Sequence, residues 1–319
     1  MKIHVLSTVN GQENEGMRNV ATHIAKRLEA EHTVMYSGLK QFSSIAINAV
    51  RADVTMVFAR ANKQVYWLMR MVEKLCKNVW LVCVQKPNDE FIKLNSAVPL
   101  NCNYLSLLES DLRDVVYKKN RKGYCFSLGI NEKKFCPVSA ERQQELKEKY
   151  GFSNKKRLAV HVGHCSSGRG LEDFVELDDS LFDRLVVASG MFEDPNVTNR
   201  LENAGVHVLR GYQEHVEEIY QMADVYLFPT KSCEYVISIP LSVMEALACG
   251  TPVVGYKTFP NLKEISGTEE AILCVDSVAE LNHTVLQQAK MKAWYSLLAD
   301  ARTWEQTTES ILRLMERVK

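Results

Sequence analysis

The chain has 319 residues, 46% hydrophobic and 24% charged, with Lys+Arg and Asp+Glu balanced at 39 each. That length allows two domains, and a zero formal charge removes any bulk electrostatic case for a nucleic-acid partner. Nine cysteines without a CxxC pair, and no Cys/His cluster, argue against a disulfide framework and against zinc. The start, MKIHVLSTVN, reads as a strand and not as a leader, and no apolar run reaches the ~18 residues of a membrane span. Dispersed thiols without a leader point to the cytoplasm.

Lys2 to Leu6 reads as a buried strand, followed by a loop over residues 8–15 with Gly11. A helix starts at Gly16, because Met17, Val20, Ile24 and Leu28 recur at helical spacing. Gly11 and Gly16 do not make GxGxxG, so the dinucleotide fingerprint is missing; Gly16 either serves a turn or lets a substrate approach the helix start. Strands are predicted at Thr33–Tyr36, Val54–Phe58, Val79–Val84 and Tyr104–Leu107, with helices at Phe42–Val50, Asn62–Cys76 and Ser110–Lys118. The alternation argues for a parallel sheet covered on both faces. The helix around Trp67 carries Lys63, Arg70 and Lys74 beside its apolar stripe, which fits a core-facing helix with a solvated basic face or a membrane-surface helix. Lys118, Lys119, Arg121 and Lys122 read as a solvated turn or as an attraction for anionic lipid. Gln85 and Lys86 stand at the C-terminal edge of a predicted strand, the edge that faces the ligand crevice in open α/β sheets.

Residues 127–139 break the pattern with Gly, Asn and Pro and mark the domain boundary, with domains expected at 1–137 and 138–304. A helix over Ala140–Tyr150 leads to a strand, Arg157–Val162. Then comes the polar run from Gly163 and His164 to Arg169 and Gly170, and an acidic helix from Leu171. Such a loop can present backbone N–H groups to phosphate oxygens, with Arg169 adding a bidentate contact. Turn glycines, a surface Arg and a satisfied His are the plainer alternative. Strands follow at Arg184–Ser189, Val206–Leu209, Val225–Phe228, Val253–Tyr256 and Ala271–Val275, with Gly190 and Gly211 at strand ends. Between the third and fourth of these, Leu241–Cys249 is a helix closed by Gly250 and Pro252. Its start at Leu241, Ser242 and Val243 offers unpaired N–H groups suited to a phosphate, and Glu245 sits inside it. Asp178-Asp179 reads as a solvated helix end, and no metal site is expected. Helices rich in Leu, Ala, Lys and Glu close the chain, with a break at Trp304.

These separated pieces resemble the retaining family-four glycosyltransferases. The ALACGTPVV run resembles the core of that family's donor segment ExFGLxxxEAMACGxPVV, with Glu245 on its second Glu. Gly163-His164 through Arg169-Gly170 is similar to its G-R-x-x-x-x-K-G loop, and residues 129–137 to its linker G-V-D-x-x-x-F-x-P. Thr303-Trp304 resembles its C-terminal Ser-Trp pair. The resemblance implies an α/β GT-B fold: two Rossmann-like, doubly wound parallel-sheet domains facing a central cleft, with helix 305–319 crossing back to the first. It implies transfer of a sugar from a UDP- or GDP-sugar to a glycan or lipid-linked acceptor, in cell-surface or polysaccharide synthesis. No cofactor beyond this donor substrate, no metal and no nucleic acid are implied, and a peripheral contact with the inner membrane face is an option.

By the same resemblance Arg169 pairs with the donor diphosphate, with His164 where the family has Arg. Glu245 binds the ribose, and Leu241, Ser242 and Val243 offer amides. Gly163, Gly190 and Gly16 allow close approach, and Gln85 stands near the position of a family His. Two departures mark this chain: Ile237 replaces the first Glu of the donor segment, and Gln85, an amide, cannot act as a base. They leave a catalytically impaired nucleotide-sugar-binding protein as the alternative. A GT-B epimerase would need acidic groups that the sequence does not place.

Overall fold

The computed structural model describes residues 1–7, 16–116, 123–265, 271–288 and 303–318. The loop with Gly11, the basic turn at Lys118–Lys122 and the helical stretch before Trp304 lie outside the described residues. The chain divides into two compact units: residues 1–129 with Val236–Ser238 and 302–319, and residues 130–235 with 239–301. Residues 130–137, which the sequence reading left with the first domain, group with the second unit.

The first unit alternates strand and helix: β1 (Lys2–Leu6), α1 (Gly16–Leu28), β2 (Thr33–Ser37), α2 (Phe42–Arg51), β3 (Val54–Phe58), α3 (Lys63–Leu75), β4 (Val79–Cys83), α4 (Asp89–Ala97), β5 (Asn103–Ser106), α5 (Glu109–Val116) and β6 (Gly123–Cys125). The six strands are parallel in the order β2-β1-β3-β4-β5-β6. β3 and β4 are buried along their whole length, as expected of strands covered on both faces. α3 starts where Asn62 caps the Val65 amide, and it buries Val65, Tyr66, Leu68, Met69 and Val72. Its inner face is therefore core, as the apolar stripe requires. α4 and β6 were not expected from the sequence: α4 is short and starts on a cap, Asn88, hidden behind Pro87, and β6 has only three residues. The C-terminal helix, Trp304–Arg317, starts on a complete Thr303/Gln306 capping box and packs on α1. Trp304 stacks on His23 at 4.6 Å.

The second unit runs α6 (Ala140–Lys149), β7 (Arg157–Cys165), β8 (Phe182–Glu193), α7 (Pro195–Asn203), β9 (His207–Arg210), α8 (Val216–Met222), β10 (Val225–Phe228), α9 (Leu241–Ala248), β11 (Val253–Tyr256), β12 (Ile272–Val275) and α10 (Leu281–Gln288). Its parallel sheet has the order β12-β11-β10-β7-β8-β9, the Rossmann arrangement. α7 is a further helix that the sequence reading missed, capped by Asp194 and started by Pro195.

Three expectations change here. β7 continues through Gly163 and His164 to Cys165, so only residues 166–170 form the loop. The segment Leu171–Glu176 is a 3-10 helix and not an α-helix. Gly190 does not follow a strand end; it lies within β8. The pairing of β7 with β8 shifts register there: Gly163 is opposite Ala188, and Cys165 is opposite Glu193.

Candidate functional site

In an open α/β sheet the crevice opens at the carboxyl ends of the strands where the order reverses. In the second unit that point lies between β7 and β10, neighbours in the sheet but not in sequence. The two loops leaving it are residues 166–170 and 229–240, and the second leads into α9. Most of the residues singled out in the sequence gather around this point.

The first loop turns through a 3-10 segment, with the Arg169 amide donating to the Ser166 carbonyl at 3.0 Å. Gly170 follows at φ +69, and a Cβ on it would stand 2.5 Å from the Pro229 carbonyl oxygen. A glycine is therefore required to bring this loop against the start of the next. The seam is fixed by Asp173, which takes hydrogen bonds from Lys231 at 2.8 Å and from Tyr256 at 2.6 Å.

Arg169 is 8% exposed, and its guanidinium makes no ion pair or side-chain hydrogen bond among the described residues. Burial lowers its pKa, but an arginine stays charged. A buried guanidinium without a counter-ion costs several kcal/mol unless an anion joins it. Two imidazoles stand near it and both are neutral. Burial and then the Arg169 charge hold His164 down to about 4, and the same two causes hold His161 down to about 3. His161 is wholly buried, with Nδ1 donating to the Leu227 carbonyl at 3.1 Å, which leaves Nε2 a lone pair without a partner. A Cβ on Gly163 would lie 3.1 Å from that nitrogen. Gly163 therefore makes room for His161.

α9 supplies the other side. Pro240 precedes it, and no side chain caps its first turn. The Leu241 and Ser242 amides make no hydrogen bond among the described residues. The Val243 amide differs from expectation, because it is taken by the Pro240 carbonyl at 3.2 Å. Glu245, one turn on, is held by the Tyr220 hydroxyl, which donates to Oε2 at 2.8 Å. Burial, reinforced by that carboxylate, pushes the Tyr220 phenol well up, so it remains a donor at any ordinary pH. Tyr226 stacks on His161 at 5.6 Å, and its hydroxyl lies 3.1 Å from the Val162 carbonyl and 2.8 Å from Ser242 Oγ. It donates to the first and accepts from the second. Tyr220 and Tyr226 thus tie α9 to the switch-point strands. The sequence reading passed over both, since an aromatic residue in an apolar helix or strand reads as core. The available signal was the buried phenol itself, which needs a polar partner.

Arg169, His164, Gly163, Glu245, Leu241 and Ser242 therefore share the carboxyl end of one sheet, and Gly190 falls within β8 of that sheet. Gly16 and Gln85 belong to the first unit. Gly16 opens α1, at that unit's own switch point between β1 and β3. Gln85 follows β4, one strand further along. Ile237, grouped with the first unit, lies 3.1 Å from where a Gly16 Cβ would be. Its neighbour Ser238 donates its amide to Val84 at 2.7 Å and its hydroxyl to the buried Asp111. Among the described residues no group of three His, Cys, Asp or Glu is placed to hold a metal.

Comparison with known proteins fits this geometry. Residues 160–290 match the family model described as Glycosyl transferases group 1. The chain is 30% identical over 148 residues to the N,N'-diacetylbacillosaminyl-diphospho-undecaprenol alpha-1,3-N-acetylgalactosaminyltransferase of Campylobacter jejuni, covering 45% of this chain and 38% of that protein. It is 24% identical over 181 residues to the alpha-galactosylglucosyldiacylglycerol synthase of Streptococcus pneumoniae, covering 51% and 47%. The chain thus spans less than half the length of these relatives. In fold it is similar to Anabaena HepE, solved with UDP-glucose, at a TM-score of 0.76 and 13% identity, over 100% of this chain and 99% of that one. The architecture is GT-B.

Proposed function

We propose, for a chain whose residues 160–290 match the family model of the glycosyl transferases group 1, a retaining transfer of a sugar from a nucleotide sugar to a glycan or lipid-linked acceptor. The observation that carries this reading is the buried Arg169 guanidinium, without a counter-ion among the described residues, at a switch point where the Leu241 and Ser242 amides are likewise open among them. A diphosphate supplies the missing negative charge. The relative's UDP-glucose favours a uridine donor, with GDP-sugars as the second class to test.

Breaking the anomeric C–O bond leaves both electrons on the diphosphate oxygen and positive character on the sugar ring. Arg169 and the two amides meet the growing negative charge, in a site already arranged for it. His164, neutral, contributes a hydrogen bond and no charge. Glu245, oriented by Tyr220, accepts from ribose hydroxyls. On the retaining path the acceptor oxygen bonds to the anomeric carbon on the face the diphosphate leaves, and the acceptor proton passes to the departing phosphate oxygen. This scheme places no step on a metal ion, and transfer is expected to survive chelation by EDTA. The relatives' names carry a diphospho-undecaprenol and a galactosylglucosyldiacylglycerol, which favours a lipid-linked acceptor reached from the membrane surface.

The test is a thermal-shift series with UDP, GDP, ADP and their sugars, followed by transfer assays. A ligand present at 100 times its Kd stabilises the fold by about 2.7 kcal/mol. Absence of any shift at millimolar ligand would refute the donor site. A second reading, a binding protein impaired in catalysis, is favoured by Ile237, a buried apolar side chain at the family's first Glu position. Binding without turnover across donors and acceptors would select it.

A further inference from the structure

His161 takes no part in the transfer scheme above, yet it is held with unusual care. It lies on β7 and is wholly buried. Tyr226 stacks on its ring at 5.6 Å with the planes 24° apart, and Phe174 and Phe228 lie at 6.5 and 6.4 Å. Nδ1 meets the Leu227 carbonyl at 3.1 Å, and a carbonyl only accepts, so Nδ1 carries the proton. With ring and tautomer both fixed, Nε2 is an acceptor whose direction the protein has set.

Nothing meets that acceptor. Nε2 is sealed from solvent, and no hydrogen-bond partner reaches it among the described residues. A buried acceptor left this way keeps the full desolvation cost of a lost hydrogen bond. The diphosphate cannot relieve it, because phosphate oxygens also accept. The Tyr226 hydroxyl is already spent on the Val162 carbonyl at 3.1 Å. Arg169 has the opposite need. Its guanidinium carries five N–H donors in a planar fork, none of them bonded among the described residues. The two groups are close enough for the Arg169 charge to act on His161, where it joins burial in keeping the imidazole neutral. An unanchored arginine loses rotamer freedom when it grips a ligand, and a fixed acceptor beside it reduces that cost.

We propose that His161 is a positioning residue for Arg169: with the diphosphate bound, Nε2 accepts one guanidinium N–H and turns the remaining N–H groups towards the phosphates. This rests on the donor site proposed above and adds to it a residue that does not touch the ligand. One flat fork can donate along one edge to the imidazole and along another to phosphate oxygens.

The variant that tests it is His161→Phe, which keeps an aromatic ring against Tyr226 and removes both nitrogens. Calorimetry with UDP and with inorganic pyrophosphate should show affinity falling about tenfold or more, the worth of one hydrogen bond to a charged group. The factor should be the same for both ligands, because the guanidinium meets only the phosphates. A second measurement needs no variant. Nitrogen NMR of the parent chain should find His161 in the Nδ1–H tautomer, with its Nε2 resonance moving upfield, as an acceptor's does, when pyrophosphate is added. The proposal is overturned, with the donor site left standing, if His161→Phe binds both ligands as the parent does, or if it weakens UDP and not pyrophosphate. An Nε2 resonance that stays in place while the parent binds pyrophosphate overturns it equally, whether or not the variant folds. If the parent binds neither ligand, the donor site falls and this role for His161 falls with it.

Discussion

The two units are built from the same parts, six parallel strands with helices between them, but they keep their unusual groups in different places. The second unit keeps its own inside: a buried arginine without a counter-ion among the described residues, two neutral imidazoles and two buried phenols at the switch point of β7 and β10. It exposes few large apolar side chains, Leu181 and Tyr212 among the described residues. The first unit reverses this. Its buried carboxylate Asp111 is hydrogen-bonded by Ser238, and its exposed large apolar side chains include Phe42, Ile47 and Val50 on α2 and Trp67 on α3. Topology alone therefore assigns no function. Strand order determines where a crevice opens, and the side chains placed there determine what it can hold.

The contrast is broken most sharply at Arg169. Arg169→Met should abolish the nucleotide-induced thermal shift and lower transfer by about a hundredfold or more, the scale of losing a preorganised charge donor. The same change removes an unpaired buried charge, so the ligand-free protein should melt at the same temperature or higher. A fall in ligand-free stability would mean that Arg169 is a structural residue, and the second unit would lose its distinction from the first.

Gly170→Ala forces a side chain into a left-handed backbone position and against Pro229. It should cost about 2 kcal/mol or more in urea unfolding. An unchanged midpoint would show that the two loops are not held as close as they stand here. Acid provides a third comparison. His161 and His164 are held to about 3 and about 4 by burial and by Arg169, and His4 of the first unit to about 4 by burial alone. Above the ordinary histidine pKa of 6.5 their contribution is complete. As pH falls from 6.5 towards 4, the unfolded chain takes up protons that the fold refuses, and stability declines. The slope for His161 is about 1.4 kcal/mol per pH unit. Urea midpoints measured from pH 7 to 4 should fall, and Arg169→Met should soften the decline from the second unit only. Flat midpoints over that range would contradict the buried neutral imidazoles.

Tyr220→Phe removes the hydroxyl that holds Glu245. Nucleotide affinity should drop about five- to tenfold, matching one hydrogen bond to a carboxylate, with the binding readable by calorimetry. Thr303→Ala, in the capping box of the C-terminal helix, is the smallest change. It should cost about 1 kcal/mol of stability and leave the nucleotide shift intact. If it weakened nucleotide binding as much as Tyr220→Phe does, the assignment of donor binding to the second unit alone would fail.

Much of this was legible in the chain itself. β3, β10 and β11 were delimited to the residue, and α3 was framed by its cap residues Asn62 and Cys76, because apolar period and capping are local properties. The polar run ending in Arg169-Gly170 and the helix start at Leu241 were also visible, as residue types suited to phosphate. The ends of β7 and β8 were not. Their extension depends on pairing with each other, and the slip at His164 is invisible from either strand alone.

What the sequence by itself determined is the alternating α/β architecture, the two-part division and the identity of the groups that could meet an anion. What only the tertiary structure decided is their circumstances. β7 and β10 became neighbours, so loops about 60 residues apart share one switch point. Arg169 was left buried without a counter-ion among the described residues, and Tyr220 reached Glu245 across 25 positions. Ile47, Val50 and Trp67 were turned outward. Burial and partnership depend on every element packed around a side chain, and a linear pattern records the side chain without its neighbours.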